Sequence, residues 1–304
     1  MTPQYFQHNS ANFCEMENKE SKSYIERIEI KGLWGRFDVN WKLHTDVNIL
    51  VGENGTGKST ILKFIESFSK WENADIRLKS EFMKIVLDNG FSIGMTEHDI
   101  LPLKWPITHP VKLLQTFESK LLEKDTISKI TQKNVQNSLD LELYNLETEY
   151  WKYQIELFER IVNQGFSKEE VNKNHNLFLQ KINNLFKATG KVFGQNSKDK
   201  TIIFKQNGLE LSLYQLSSGE KQMLIILLTV LLQDQKPSIL LLDEPEISMH
   251  LTWQYELIEI IRTLNPNCQV IIVTHSPSIF TDGWNDRVFW IEDICKPSQK
   301  LEKV

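Results

Sequence analysis

The spacing of apolar residues changes several times along the chain, and each spacing predicts a different kind of element. Apolar and polar residues alternate over residues 24–34 and 37–43, a pattern typical of half-buried β-strands. Residues 47–51 (VNILV) are almost all apolar and predict a fully buried strand. A glycine-rich turn follows, and a helix is predicted over residues 59–68.

The spacing becomes helical between residues 113 and 190. Apolar residues recur at steps of three and four over 139–161, close to a heptad pattern, and Gly165 suits the end of this helix. Ser167 and Glu170 have capping-box spacing and predict a second helix. We interpret the pair as an antiparallel hairpin. The spacing favours a protruding hairpin of the coiled-coil type, and the alternative is a helix pair lying on the main domain.

The rest of the chain predicts hairpins, strands and helices in alternation. Asn-Gly pairs at 89–90 and 207–208 predict two β-hairpins. Apolar strands and helices then alternate, which is typical of a largely parallel sheet; the strands are 239–242, 270–273 and 288–291, and the helices are 219–232 and 251–264. We expect His175, on the stripe of the second hairpin helix, to be a packed core residue.

Composition narrows the class of protein. The 304 residues are 40% hydrophobic and 25% charged, as in soluble globular proteins, and the net charge of -5 disfavours a surface built wholly to bind a polyanion. The longest apolar run, 223–232, is too short for a bilayer span, which needs about 20 residues. We see no signal peptide, and three scattered cysteines fit a reducing cytoplasm without a disulfide framework or zinc site.

Residues 52–59 (GENGTGKS) match the eight-position phosphate-loop pattern. They lie where the mechanism requires, between a buried strand and a helix. The glycines allow backbone N–H groups to surround the β-phosphate, and the helix N-terminus adds partial positive charge. Lys58 would reach the β- and γ-phosphates, and the Ser59 hydroxyl would bind Mg²⁺.

Residues 238–244 (SILLLDE) predict a buried strand with two carboxylates at its C-terminal end. That end is the usual ligand side of an open α/β sheet. Asp243 would hold Mg²⁺ through water, and Glu244 would polarise the attacking water as general base. A solvated acidic loop is the alternative, and the phosphate loop makes it the weaker one.

A third motif, LSSGE at residues 216–220, is by itself an ordinary helix start, but Gly219 lies 24 residues before Asp243. LSSGE, LLDEPE and the VTHS segment at 273–276 resemble the signature motif, Walker B motif and switch histidine of the ABC-type ATPases. GENGTGKST and DEPEISMHLTWQ resemble the soluble branch, which includes the RecF, SMC-type and OLD ATPases and small ATPases of bacterial anti-phage systems, among them Septu- and retron-associated ones. The resemblance covers residues 24–95 and 200–292.

The resemblance implies a P-loop ABC-type head, an α/β fold with a mainly parallel sheet, an antiparallel β subdomain and the inserted hairpin. Its domains would be a flexible tail at 1–22, a head formed by 23–112 and 191–304, and the hairpin at 113–190. Two heads would sandwich two ATP molecules. In the family, the D-loop, here Ser248, Met249 and His250, crosses the dimer interface.

The resemblance also implies a division of labour among the site residues. The catalytic residues would be Lys58, Glu244 and His275, of which His275 would sense the γ-phosphate. The Mg²⁺ ion would be held by Ser59 and Asp243. The nucleotide would be bound in cis by Gly52, Asn54, Gly55, Thr56, Gly57, Lys58, Ser59 and Thr60, and from the opposite head by Ser217, Ser218, Gly219 and Glu220.

Some family features have no clear counterpart. Gln115 is a weak candidate for the Q-loop glutamine, and Arg77 is more typical of a surface arginine than of one near the γ-phosphate. Trp34 or Phe37 would stack on adenine in one interpretation, although core packing is the favoured one.

We expect a cytoplasmic ATPase subunit whose dimerisation controls a separate nuclease or toxin effector in anti-phage defence. The alternative is the nucleotide-binding subunit of a membrane transporter. The 156 residues between Ser59 and Leu216 exceed the roughly 100 associated with transporter subunits, and the hairpin accounts for the surplus.

A DNA-repair-type ATPase that binds DNA or RNA is a further, weakly supported alternative. Residues 139–160 contain six acidic and two basic residues, which would repel phosphate, whereas residues 112–133 are more basic. The chain ends 13 residues after Ile291, so we expect another chain to carry any nuclease.

Overall fold

The computed structural model describes residues 23–70, 80–96, 110–115 and 135–298. Its central sheet has five strands in the order β12-β3-β11-β10-β6, and every pairing between neighbours is parallel. These strands are β3 (Val47–Val51), β6 (Val111–Leu114), β10 (Ser238–Asp243), β11 (Cys268–Val273) and β12 (Val288–Trp290). The predicted parallel sheet is therefore confirmed. Strand β6 was not predicted, and it crosses the boundary that the sequence suggested between head and hairpin at 112/113.

A second sheet has five antiparallel strands in the order β13-β2-β1-β4-β5. They are β1 (Ile25–Leu33), β2 (Phe37–Lys42), β4 (Phe82–Leu87), β5 (Ser92–Thr96) and β13 (Cys295–Pro297). Asn89 and Gly90 form the β4–β5 turn as predicted, with Gly90 at φ 83°. This sheet confirms the antiparallel subdomain.

A third, three-stranded antiparallel sheet contains β7 (Val192–Asn196), β8 (Thr201–Gln206) and β9 (Leu209–Ser212). Asn207 and Gly208 both have positive φ, 51° and 80°, as a tight two-residue hairpin turn requires. The predicted hairpin is thus present, and β7 is an addition that the sequence pattern missed.

The helices are α1 (Lys58–Lys70), α2 (Ser138–Gln164), α3 (Lys168–Phe186), α4 (Ser218–Leu232), α5 (Leu251–Leu264) and the single turn α6 (Ile291–Ile294). Helix α2 ends at Gly165, whose φ of 75° is the left-handed conformation of a helix C-terminus. The Ser167 side chain caps α3 by accepting the Glu170 backbone N–H at 3.2 Å. Among the described residues, we find no helix that combines the length and apolar character needed to cross a bilayer.

The central sheet separates two hydrophobic cores. Its Ile239 and Leu241 face α1 and the antiparallel sheet, whereas Leu240 and Leu242 face the helices α2 to α5 and the third sheet. Alternate residues of one strand therefore face opposite cores, which explains why β3 and β10 are buried along their whole length.

The helical hairpin packs on the head, so the interpretation of a protruding coiled coil is wrong. Leu139, Leu143, Tyr150 and Leu157 of α2 are buried in the same core as α4 and one face of the central sheet. The near-heptad spacing correctly predicted which face of α2 is buried, but it did not predict which element covers that face. That partner is α4, whose residues 219–231 are buried all round.

His175 is a packed core residue, as expected. It is buried on α3, and its Nε2 lies 2.8 Å from the Tyr150 hydroxyl on α2. Burial lowers its pKa to about 4, so the ring is neutral near pH 7.

Candidate nucleotide site

The phosphate-loop residues 52–60 follow β3 at the C-terminal edge of the central sheet and include the first turn of α1. Glu53, Asn54 and Gly55 are exposed at its tip. Gly57 has a φ of 99°, and a Cβ there would approach the Trp34 ring to 2.7 Å, so both backbone and packing require glycine. The loop therefore has the glycine-dependent, open shape that backbone phosphate binding needs.

Lys58 is buried beneath this loop. Its Nζ donates to the Gly52 carbonyl at 3.0 Å and to the Glu53 carbonyl at 2.7 Å. Burial lowers the pKa of Lys58, and the nearby carboxylates of Glu244, Asp243 and Glu292 oppose that shift. A polyphosphate would supply the countercharge that favours the ammonium form.

Ser59 and Asp243 meet although they are 184 residues apart in the chain. The Ser59 hydroxyl donates to Asp243 Oδ1 at 2.8 Å, because α1 begins beside the C-terminal end of β10. Burial raises the pKa of Asp243, while the Ser59 hydrogen bond and the charges of Lys63 and Lys58 act in the opposite direction. The two side chains predicted to bind Mg²⁺ are thus in direct contact.

Glu244 and His275 face each other beside this pair. Glu244 has a left-handed φ of 48° and its N–H donates to the Val273 carbonyl at 2.8 Å, which fixes the turn after β10. His275 Nε2 lies 3.6 Å from Glu244 Oε1, beyond direct hydrogen-bond distance, and both side chains are about a third exposed. A positive φ at a non-glycine residue is a strained conformation of the kind found at active sites.

The signature segment, residues 216–220, contacts the D-loop of the same chain. A Cβ on Gly219 would lie 2.1 Å from the Ser248 carbonyl oxygen, so only glycine permits this approach. Ser217 and Ser218 are exposed at the N-terminus of α4, where backbone N–H groups point outward. The segment thus ends in an exposed helix N-terminus, a position that favours anions, and Gly219 packs on the D-loop behind it.

Glu220, assigned to the nucleotide by the resemblance, makes bonds within the chain. Its carboxylate accepts the Ser217 backbone N–H at 2.9 Å in a capping box and pairs with Lys191 Nζ at 2.7 Å. Burial would raise the pKa of Glu220, but the bonds from Lys191 and Ser217 lower it overall. Both carboxylate oxygens are therefore engaged inside the chain.

The structure places the candidate adenine-stacking residues and the candidate Q-loop glutamine in different surroundings. Trp34, 36% exposed, lies against the phosphate loop, whereas Phe37 is half-buried and packs on the core. Gln115 is exposed directly after β6, beside the β10 strand that carries Asp243. Arg77 lies outside the described residues.

The basic run at 112–133 is described only in part. Lys112 pairs with Glu142 at 2.8 Å. Lys120, Lys124, Lys129 and Lys133 lie outside the described residues.

Sequence reasoning missed Glu246 and Gln254. Glu246 Oε1 accepts hydrogen bonds from the His275 loop, residues 274–276, and Gln254 links that loop to the D-loop. The only available signal was a second glutamate two positions after Glu244 in DEPE.

The fold and the arrangement of the phosphate loop are those of a P-loop head domain of the SMC type. The SMC head solved in complex with the C-winged helix domain of ScpA matches 92% of this chain and 99% of its own, at 15% identity and a TM-score of 0.51. The family model described as "AAA domain, putative AbiEii toxin, Type IV TA system" matches residues 105–282, more than half of the chain. The chain belongs to this AAA family.

Two curated relatives extend the comparison. Septu protein PtuA of Bacillus thuringiensis is 23% identical over an alignment 299 residues long, which covers 83% of this chain and 72% of PtuA. The Retron Vc95 probable ATPase of Vibrio cholerae serotype O1 biovar El Tor is 29% identical over 107 residues, 32% of this chain. That match spans only 20% of the retron protein's length.

Proposed function

We propose that this chain binds and hydrolyses Mg·ATP, and that ATP joins two copies head to head. In this proposal it is the regulatory ATPase subunit of a multi-protein complex in bacterial anti-phage defence, with a separate nuclease or toxin as effector. The contact between Ser59 and Asp243 carries the catalytic part of the proposal, because it brings two distant motifs together at the ligand edge of the sheet.

The chemistry of this pair fits Mg²⁺. Mg²⁺ prefers oxygen ligands, retains several waters and in ATP sites uses few protein ligands. The Ser59 hydroxyl and the Asp243 carboxylate supply two such oxygens. The ion, when bound with ATP, would neutralise charge on the phosphate oxygens.

The remaining residues have roles that follow from their positions. Lys58 would exchange its bonds to the Gly52 and Glu53 carbonyls for the β- and γ-phosphates. Glu244 would accept a proton from the water that attacks the γ-phosphorus as the bond to ADP breaks. His275, 3.6 Å from Glu244, would donate a hydrogen bond to the γ-phosphate. Trp34 would cover the nucleotide beside Gly57.

The surface around the D-loop supports dimerisation. Ser217 and Ser218 are exposed, and the large apolar side chains of Ile247, Leu251 and Tyr255 are 39–53% exposed. A second copy that brought Ser217 and Ser218 to the γ-phosphate would bury these apolar groups, which favours association. It would also close the site against water.

The similarity to PtuA supports a role in defence. It extends over 83% of this chain, so it includes at least part of the segment 113–190. The retron relative points in the same direction. We assign the segments 23–114 and 191–304 to the ATPase head, because β6 ends at Leu114 in the central sheet, and the helices α2 and α3 to the insertion.

ATP turnover and nucleotide binding by the purified chain test the proposal. The wild-type protein should hydrolyse ATP only with Mg²⁺, and Lys58→Ala should abolish nucleotide binding. Absence of both binding and turnover in the wild-type protein would overturn the catalytic assignment. A tagged Glu244→Gln protein should recover a nuclease or toxin from its host, whereas recovery of a membrane subunit would overturn the assignment to defence.

A further inference from the structure

Glu246 binds the loop that carries His275. Its Oε1 accepts the Thr274 hydroxyl at 2.6 Å, the His275 backbone N–H at 2.9 Å and the Ser276 backbone N–H at 3.1 Å. Three donors from consecutive residues therefore converge on one carboxylate oxygen. This oxygen fixes the backbone from which the His275 ring projects.

The same glutamate is tied to the D-loop. The Met249 backbone N–H donates to the Glu246 carbonyl at 2.9 Å. Gln254 Nε2 donates to the Met249 carbonyl at 3.1 Å, and Gln254 Oε1 accepts the Ser276 hydroxyl at 2.7 Å. The bonds form a closed ring through Glu246, Met249, Gln254 and Ser276. The D-loop and the His275 loop therefore cannot move independently without breaking one of these bonds.

The signature helix α4 approaches this ring from the other side. Gln222 Nε2 donates to the Pro245 carbonyl at 2.9 Å, immediately before Glu246, and Gly219 contacts Ser248. The N-terminal turns of α4, the D-loop and the His275 loop are thus one connected hydrogen-bonded unit within a single chain.

We propose that Glu246 is a positioning residue for His275, and that Gln254 couples the D-loop to the same loop. This inference rests on the proposed ATPase function. Closure of the D-loop against a second copy would then set the orientation of His275 at the γ-phosphate. Small errors of position matter here, because a misplacement of about 1 Å in an active site can reduce the rate about 10²-fold.

Three substitutions at Glu246 separate positioning from folding. Glu246→Gln retains a carbonyl oxygen of the same reach, Glu246→Asp is too short by one methylene, and Glu246→Ala removes the acceptor. We expect Glu246→Ala and Glu246→Asp to lower kcat about 10-fold or more while the Kd for ATP stays within about 2-fold. Glu246→Gln should restore most of kcat.

A double-mutant cycle asks whether Glu246 acts through His275. In a His275→Ala background, Glu246→Ala should lower kcat by less than about 2-fold further, since the residue it positions is already absent. Additive losses, or full kcat in Glu246→Ala, would overturn the proposal.

Hydrogen exchange provides a readout that needs no turnover. In Glu246→Ala the backbone amides of His275 and Ser276 should exchange at least about 10-fold faster, whereas the amide of Ile271 within β11 serves as the control and should not change. Unchanged exchange at 275 and 276 would overturn the proposed geometry. If the wild-type protein had no ATPase activity, the proposed function would fail while this exchange result still stood.

Discussion

Asp140 and Lys221 form a buried ion pair that joins the hairpin to the head. Asp140, near the start of α2, accepts a hydrogen bond from the Lys221 ammonium at 2.7 Å. The Asp140 side chain is 3% exposed and that of Lys221 is 9% exposed. Asp140 also accepts the Gln136 backbone N–H at 2.9 Å. Lys221 follows the signature segment directly. Replacing Asp140 by Asn would keep the shape of the side chain and leave the ammonium buried without its countercharge.

Removing one member of a buried pair costs about 3–5 kcal/mol, because the remaining charge is neither hydrated nor neutralised. That loss is a large fraction of the roughly 5–15 kcal/mol that stabilises a typical native protein. The double substitution Asp140→Asn with Lys221→Met should cost less than Asp140→Asn alone, since it removes both charges.

Urea denaturation followed by circular dichroism measures these differences. Glu149→Gln is the matched control, because Glu149 and Lys152 are also 2.7 Å apart but 55% and 62% exposed, and it should cost less than about 1 kcal/mol. If Asp140→Asn cost no more than Glu149→Gln, the buried contact between the hairpin and α4 would be refuted.

Two further predictions concern Gly219 and His175. Gly219→Ala should displace the D-loop, because the added Cβ would lie 2.1 Å from the Ser248 carbonyl oxygen. Nucleotide binding should persist while ATP turnover falls at least about 10-fold. The control is Gly194→Ala, whose Cβ would have its nearest contact at 3.4 Å and should leave turnover nearly unchanged. His175 has a pKa lowered from 6.5 to about 4, so the unfolded chain binds more protons between those values and stability should fall by about 3 kcal/mol as the pH drops through them. His175→Gln should flatten that dependence in urea titrations at several pH values, and an unchanged slope would contradict the buried, neutral ring.

The elements that the sequence predicted best are those fixed by local chemistry. Short-range capping or backbone conformation fixes the end of α2 at Gly165, the start of α3 at Ser167 and the turn at Asn207 and Gly208. Strand β6 was missed because its register is set only by pairing with β10, far along the chain.

The same distinction between local patterns and long-range contacts applies to the residues of the site. The phosphate-loop pattern predicted Lys58 and Ser59, since it prescribes those residue types at fixed spacing, and the end of a buried apolar strand predicted Asp243. Spacing does not show which groups a side chain contacts, so neither the cap that the Glu220 carboxylate forms on α4 nor the bonds of Glu246 to the His275 loop were predicted. The position of the hairpin depended on its partner helix α4, which an apolar stripe alone does not identify.

The mass of the Glu244→Gln protein in solution with Mg·ATP tests the central claim most directly. Loss of the general base should slow hydrolysis about 10²-fold or more while ATP binding is retained, so the nucleotide-bound state should accumulate. Light scattering should then show twice the 35.6 kDa chain mass with ATP and the single-chain mass with Lys58→Ala added. A Glu244→Gln protein that binds ATP and keeps the single-chain mass would contradict the ATP-driven head-to-head dimer.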